Sequence, residues 1–130
     1  MATTTAAITL TSTDLTSDSL SLSSTATLTK AGVATGLDQT TGVARKFYAT
    51  ASNNVLIKAA DLPDGQQKVY IKNTSSSDSE TVQIELGATQ VMGKLSGGDW
   101  AFFPWDGATD IEVTTSAVNM TVEYMVIFEA

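Results

Sequence analysis

The chain is 130 residues long, 42% hydrophobic, only 16% charged and net −7, with no histidine and no cysteine. That length suits one core, and the lack of a basic cluster beyond Arg45–Lys46 argues against neutralising a phosphate backbone, so no nucleic-acid partner is expected. Missing histidine and cysteine exclude Ser-His-acid and Cys-His catalysis, disulfides, and metal sites built on either residue.

Solubility must come from uncharged polar groups, and 21 Thr and 13 Ser supply them. Thr favours strands because its branched Cβ restricts χ1, so the starting expectation is an all-β fold. The N-terminus lacks the positive region and long apolar core of a secretory signal, and no apolar run approaches the roughly 20 residues of a membrane helix. A membrane partner is therefore not expected.

Residues 1–42 hold 19 Ser or Thr. Ile8 and Leu10 alternate with Thr, and Leu20, Leu22, Ala26 and Leu28 occupy even positions among Ser and Thr, the period of a strand with one covered face. Disorder is expected at residues 1–7, and residues 1–18 read as an N-terminal extension. Two roles are open to it: an arm that adds a strand to a neighbour's sheet, or the first strand of the chain's own sheet. Residues 19–130 read as a single sandwich domain.

A Gly- and Thr-rich connection, KAGVATGLDQTTG, leads to GVARKFYAT, with Val43, Arg45, Phe47 and Ala49 on one side and Ala44, Lys46 and Tyr48 on the other. NVLIKA is a short apolar run closed by DLPDG, a turn signal because Pro fixes φ and Gly accepts positive φ. KVYIKNT is the next strand, ended by the polar tip SSSDSE. TVQIEL places Val82, Ile84 and Leu86 inward and Gln83 and Glu85 outward, and ATQVMGKL follows after the break at Gly87. After the SGGD turn come DWAFFPW, a DGATD turn, IEVTT, and finally NMTVEYMVIFEA, with Met120, Val122, Tyr124, Val126 and Phe128 on one face. Met125 and Ile127 on the other face imply that the last strand is covered on both sides or meets a partner. Short strands separated by turn signals indicate a sandwich or a barrel, and an antiparallel β-sandwich is the fold expected.

Chemistry-bearing groups are sparse. After Lys94 there are six acids and no base, Asp99, Asp106, Asp110, Glu112, Glu123 and Glu129, which read as a solvated acidic surface. The pairs Asp106 with Asp110 and Asp61 with Asp64 have the composition of an acid–base couple but lie in turns, where Asp accepts local backbone N–H groups. Asn73-Thr74-Ser75 and Asn119-Met120-Thr121 match the glycosylation sequon, as chance allows in so Ser- and Thr-rich a chain. No cofactor is expected.

The conspicuous stretch is GGDWAFFPWDG, residues 97–107, with both tryptophans. In an extended strand Trp100, Phe102 and Pro104 face one way, and Asp99, Ala101, Phe103 and Trp105 the other. One set is expected to fill the sandwich, the other to be covered by a loop, an N-terminal arm or a neighbouring subunit. Pro104 removes a ladder donor, so the strand is expected to lie at an edge or to stop there. The candidate interface residues are Ile8, Leu10, Trp100, Phe102, Phe103 and Trp105. A carbohydrate platform, with indole faces stacking on sugars, is the alternative role of the aromatics.

Taken in order, DSLSLSSTATLTKAG, VYIKNTS, LSGGDWAFFPW and VEYMVIFEA give a series that resembles small structural proteins of tailed bacteriophages, of the marine cyanophage type, most closely from Val69 to Phe128. The resemblance implies a virion component: a capsid decoration (cement) protein with a jelly-roll-like sandwich that binds the major capsid protein, is often trimeric, and is assembled in the host cytoplasm. Tail-fibre and knob modules of the same viruses are similar in kind, and such a module would bind host-surface glycan through an exposed Trp. The resemblance transfers no catalytic residue.

Overall fold

The computed structural model describes residues 4–29 and 36–129. The expected disorder at 1–7 and the Gly-rich connection therefore fall partly outside the described residues. The chain forms two compact units, residues 1–38 and 39–130.

The first unit is a ribbon of two antiparallel strands, β1 (Thr5–Ser12) and β2 (Leu20–Thr27), paired from Thr5↔Thr27 to Ser12↔Leu20. Residues 19–27, assigned to the sandwich on sequence, thus belong with the N-terminal segment, and the boundary lies after Asp38. The alternation was read correctly, but it cannot say which strand a segment joins. The base of the ribbon is closed by Leu28 N–H donating to the Thr4 carbonyl (2.8 Å) and Leu37 N–H to the Leu28 carbonyl (2.9 Å). The Thr4 hydroxyl also donates to the Leu37 carbonyl, at 2.7 Å. Gly36 is required here, since a Cβ on it would stand 2.3 Å from the Leu28 carbonyl oxygen.

The second unit is an antiparallel sandwich. Its strands are β3 (Gln39–Thr40), β4 (Ala44–Tyr48), β5 (Asn54–Ile57), β6 (Gln67–Asn73), β7 (Val82–Leu86), β8 (Gln90–Leu95), β9 (Trp100–Trp105), β10 (Ile111–Thr115) and β11 (Met120–Phe128), with a single 3₁₀ turn at Ala59–Asp61. One sheet runs β5-β10-β7-β8, the other β11-β6-β9 with β3 and β4 in succession along the free side of β11. The pairings β4–β11, β5–β10, β6–β9 and β7–β8 are those of one long hairpin with its tip between β7 and β8. Rolled up so that alternate pairs fall in opposite sheets, that hairpin is a jelly roll.

The rolling follows from burial. Val69, Ile71, Val122 and Val126 from one sheet and Val82, Ile111 and Val113 from the other are wholly buried between the layers, joined by Leu56, Ile84, Leu95 and Met120. Strand β10, the IEVTT segment, alternates as read, with Ile111, Val113 and Thr115 inward. Ties between consecutive strands in opposite sheets lock the layers. The Lys46 ammonium donates to the Leu56 carbonyl (2.7 Å) and the Tyr48 hydroxyl to the Val55 carbonyl (3.1 Å). Burial, and secondarily neighbouring Tyr124, pushes the Tyr48 hydroxyl far above its ordinary pKa, so it remains a donor.

Two buried polar side chains hold the ends of β6. Asn73, at 0% exposure, donates to the carbonyls of Glu80 (2.8 Å) and Leu95 (3.1 Å) and accepts from Ser75 N–H (3.1 Å). The Asn73 sequon is thus a structural amide closed to glycosylation. Gln67 donates to the Pro63 carbonyl beneath Gly107. On the other sheet Glu85 corrects its expected solvated position: it is 4% exposed, takes a hydrogen bond from Gln83 (2.6 Å), and pairs across strands with Glu112.

Candidate functional site

Among the described residues, three of the acids after Lys94 are held by backbone N–H groups. Asp106 accepts from Ala108 N–H (3.0 Å), Asp110 from Ala59 N–H (2.8 Å) and Asp99 from Ser96 N–H (3.0 Å). Asp106 and Asp99 cap their own turns, as the sequence context implied for Asp106, whereas Asp110 reaches the distant backbone of the 3₁₀ turn at Ala59. Asp64 and Asp110 border an open cleft of about 540 Å³ lined otherwise by Ala59, Ala60, Leu62, Gly107 and Ala108. Among the described residues no group of three or more acidic side chains is placed to hold a metal ion.

The prominent feature is the outer face of the sheet containing β9. The SGGD turn launches this strand: Gly98 has φ +83°, and a Cβ on Gly97 would stand 2.3 Å from the Ser77 carbonyl oxygen. Gly98 N–H donates to the Asn73 carbonyl and Asn73 N–H to the Asp99 carbonyl, both at 3.0 Å, which sets the register with β6. Trp105, Phe103 and Ala101 then lie opposite Gln67, Val69 and Ile71, the inward residues of β6. Trp105 is consequently 5% exposed, with its indole N–H on the Thr109 carbonyl (2.9 Å), and Phe103 packs against the core. These two therefore fill the sandwich and leave the set of candidate interface residues. The strand lies at the sheet edge, as Pro104 implied.

Trp100, Phe102 and Pro104 face outward, opposite Lys72, Tyr70 and Lys68 of β6. Trp100 is 55% exposed and Phe102 38%, so the second aromatic set is not covered by the described residues of the sandwich itself. Further across the face, Glu123 of β11 stands between Lys72 and Arg45, and Phe47 opposite Thr121 is 63% exposed. Arg45 Nε donates to Glu123 (2.9 Å) and the Tyr70 hydroxyl donates to its other oxygen (3.2 Å). The Arg45 hydrogen bond is the main cause holding the Glu123 carboxyl below its ordinary pKa, while burial and then Glu123 raise that of Tyr70. Arg45, Lys68 and Lys72 against Glu123 make this face cationic on a net acidic chain. Sequence reading found Trp100 and Phe102 but missed Tyr70 and Phe47; their outward positions in alternating strands were the available signal.

The ribbon presents the other exposed set. Ile8, Leu10 and Leu22 are 43%, 48% and 45% exposed in the whole chain. Cross-strand pairing joins Leu10 to Leu22 and Ser12 to Leu20, so Leu20 and Leu22 extend the pair expected to be adhesive.

No protein-family model, curated protein or solved structure matches this chain.

Proposed function

We propose that the chain is a non-enzymatic virion structural protein, a capsid decoration protein that adheres to the major capsid protein and holds the head together. The observation that carries this reading is the pair of exposed apolar sets, Trp100 with Phe102 on a rigid sheet edge and Ile8, Leu10 and Leu22 on a ribbon. A chain that leaves such residues uncovered has surface to spend on a partner. The resemblance to phage structural proteins and the jelly-roll topology agree with it, although jelly rolls also serve as lectins and a fold alone assigns no function.

The physics asked of such a protein is modest. Packaged DNA presses capsomers apart, and a small protein touching two or more of them resists separation. At about 25 cal/mol per Å² of apolar area, a small footprint contributes several kcal/mol before association costs are subtracted. An oligomer, such as the trimer that the resemblance implies, would engage several sites together, so weak contacts reinforce one another through effective concentration. The test is to add the purified chain to heads lacking it and measure co-sedimentation and thermal release of DNA. Saturable binding with delayed release, both weakened by Trp100→Ser with Phe102→Ser, is expected. Absence from purified virions together with no binding to heads would overturn the reading.

One observation favours a second reading, a tail or fibre module that binds host-surface glycan: the Trp100 ring lies exposed beside Lys72, on the face shared with Phe102 and Tyr70. Binding of host polysaccharide, lost in a folded Trp100→Ala variant, would decide for it over the capsid reading.

A further inference from the structure

The outward face of the sheet β4-β11-β6-β9 is ordered in rows. Residues directly opposed across a ladder share a face, so Arg45↔Glu123, Glu123↔Lys72 and Lys72↔Trp100 form one line across four strands. Three inter-strand spacings make that line about 14 Å long. Met125, Tyr70 and Phe102 form the next line on one side, and Phe47 stands opposite Thr121 on the other. Exposed rings therefore occupy two margins of the sheet, Phe47 on β4 and Trp100 with Phe102 on β9, and charged side chains stand between them.

That layout selects among ligands. The core of a protein–protein patch is apolar and depleted of charge, whereas Arg45, Glu123 and Lys72 occupy the middle here. A polynucleotide carries a charge on every unit and demands a cation for each phosphate it rests on. This face has only Arg45, Lys68 and Lys72, with Arg45 bound to Glu123 (2.9 Å), on a chain of net charge −7. The other Glu123 oxygen takes the Tyr70 hydroxyl (3.2 Å), so the hydrogen bonds of this acid go to Arg45 and Tyr70. Lys72 and Lys68 stand directly across from Trp100 and Pro104. What fits is a chain with flat C–H faces for a ring, hydroxyl groups along its length, and a negative charge only at intervals.

We infer that this face binds an acidic saccharide, one bearing carboxylate or sulfate groups, with a sugar ring on the Trp100 indole and an anionic group paired with Lys72. It rests on the glycan-binding reading and adds to it the charge of the ligand.

The test is a titration of the full-length chain, followed by tryptophan emission, with oligogalacturonate, a sulfated oligosaccharide, neutral maltohexaose and single-stranded oligothymidylate. Trp100 is the exposed one of the two tryptophans and reports contact. At least one acidic saccharide should bind about tenfold tighter than the neutral one, and less tightly as salt is added. Lys72→Gln should abolish most of that preference while leaving the neutral sugar unaffected, and Trp100→Ala should weaken every saccharide about tenfold or more. Both side chains lie outside the core, so unfolding midpoints should match the parent chain. A neutral sugar bound as tightly as the acidic ones, and lost in Trp100→Ala, would overturn this inference and leave the glycan reading standing. No saccharide binding at millimolar concentration would overturn both. Oligothymidylate bound more tightly than either acidic saccharide would overturn it in favour of a nucleic-acid surface.

Discussion

The ribbon and the sandwich are written in the same alternating pattern of branched, apolar and hydroxyl residues, yet only one of them buries its apolar face. In β10 the alternation puts Ile111 and Val113 at 0% exposure, because a second sheet lies across them. In β1 the same alternation leaves Ile8 and Leu10 near half exposed. Period two therefore specifies a strand and its two faces, but burial is decided by whether a second layer exists to receive one of them.

That contrast can be broken first at its strongest point. Ile71→Ala removes a fully buried side chain from the centre of the core and should cost about 2–5 kcal/mol in urea unfolding. Leu22→Ala in the ribbon should move the same transition by less than about 0.5 kcal/mol, as exposed sites do. Equal losses would mean that the ribbon belongs to the cooperative unit. Next, Asn73→Ala strips the hydrogen bonds from the buried Leu95 carbonyl and the part-buried Glu80 carbonyl and should destabilise the sandwich by about 2–4 kcal/mol. Thr25→Ala, on the ribbon's reverse face, should be close to neutral in the same measurement.

Smaller effects sharpen the picture of the sandwich's outer faces. Glu112 stands directly across from Glu85, and like charges so placed are unfavourable, so Glu112→Lys should raise the unfolding free energy by about 0.2–1 kcal/mol. The smallest effect is a pH dependence. Because the Arg45 hydrogen bond lowers the folded-state pKa of Glu123, its contribution is fully present above the ordinary carboxylate value and is lost as pH falls through the lower folded value. Arg45→Gln should therefore lower stability slightly at neutral pH and leave it unchanged once Glu123 is protonated, which flattens the loss between neutral and acid pH. A steeper acid loss in the variant would contradict that assignment.

Much of this architecture could be read from residues alone. The strands around TVQIEL, DWAFFPW and IEVTT, the edge position of the Pro104 strand and the turn role of Asp106 all follow from local chemistry, whereas the partner of Asp110, Ala59, is distant in sequence. Pairing did not, because strand partners are set by distant segments. For that reason β2 was grouped with the sandwich, although its partner is β1. The two faces of the aromatic strand were separable in sequence, but the choice between Trp100 and Trp105 depends on register with β6, which the Gly97–Gly98 turn imposes. Glu85 was misjudged for a related reason: polar residue types indicate exposure on average, and specific hydrogen-bond partners override that average, as they also do at Asn73.

The central claim is that the ribbon and the sandwich are two units, of which the sandwich buries its apolar residues within itself. Hydrogen exchange of the full-length protein tests it most directly. The account predicts that amides of residues 5–27 exchange far faster than those of β6 and β11. Ribbon amides as slow as the core would contradict it.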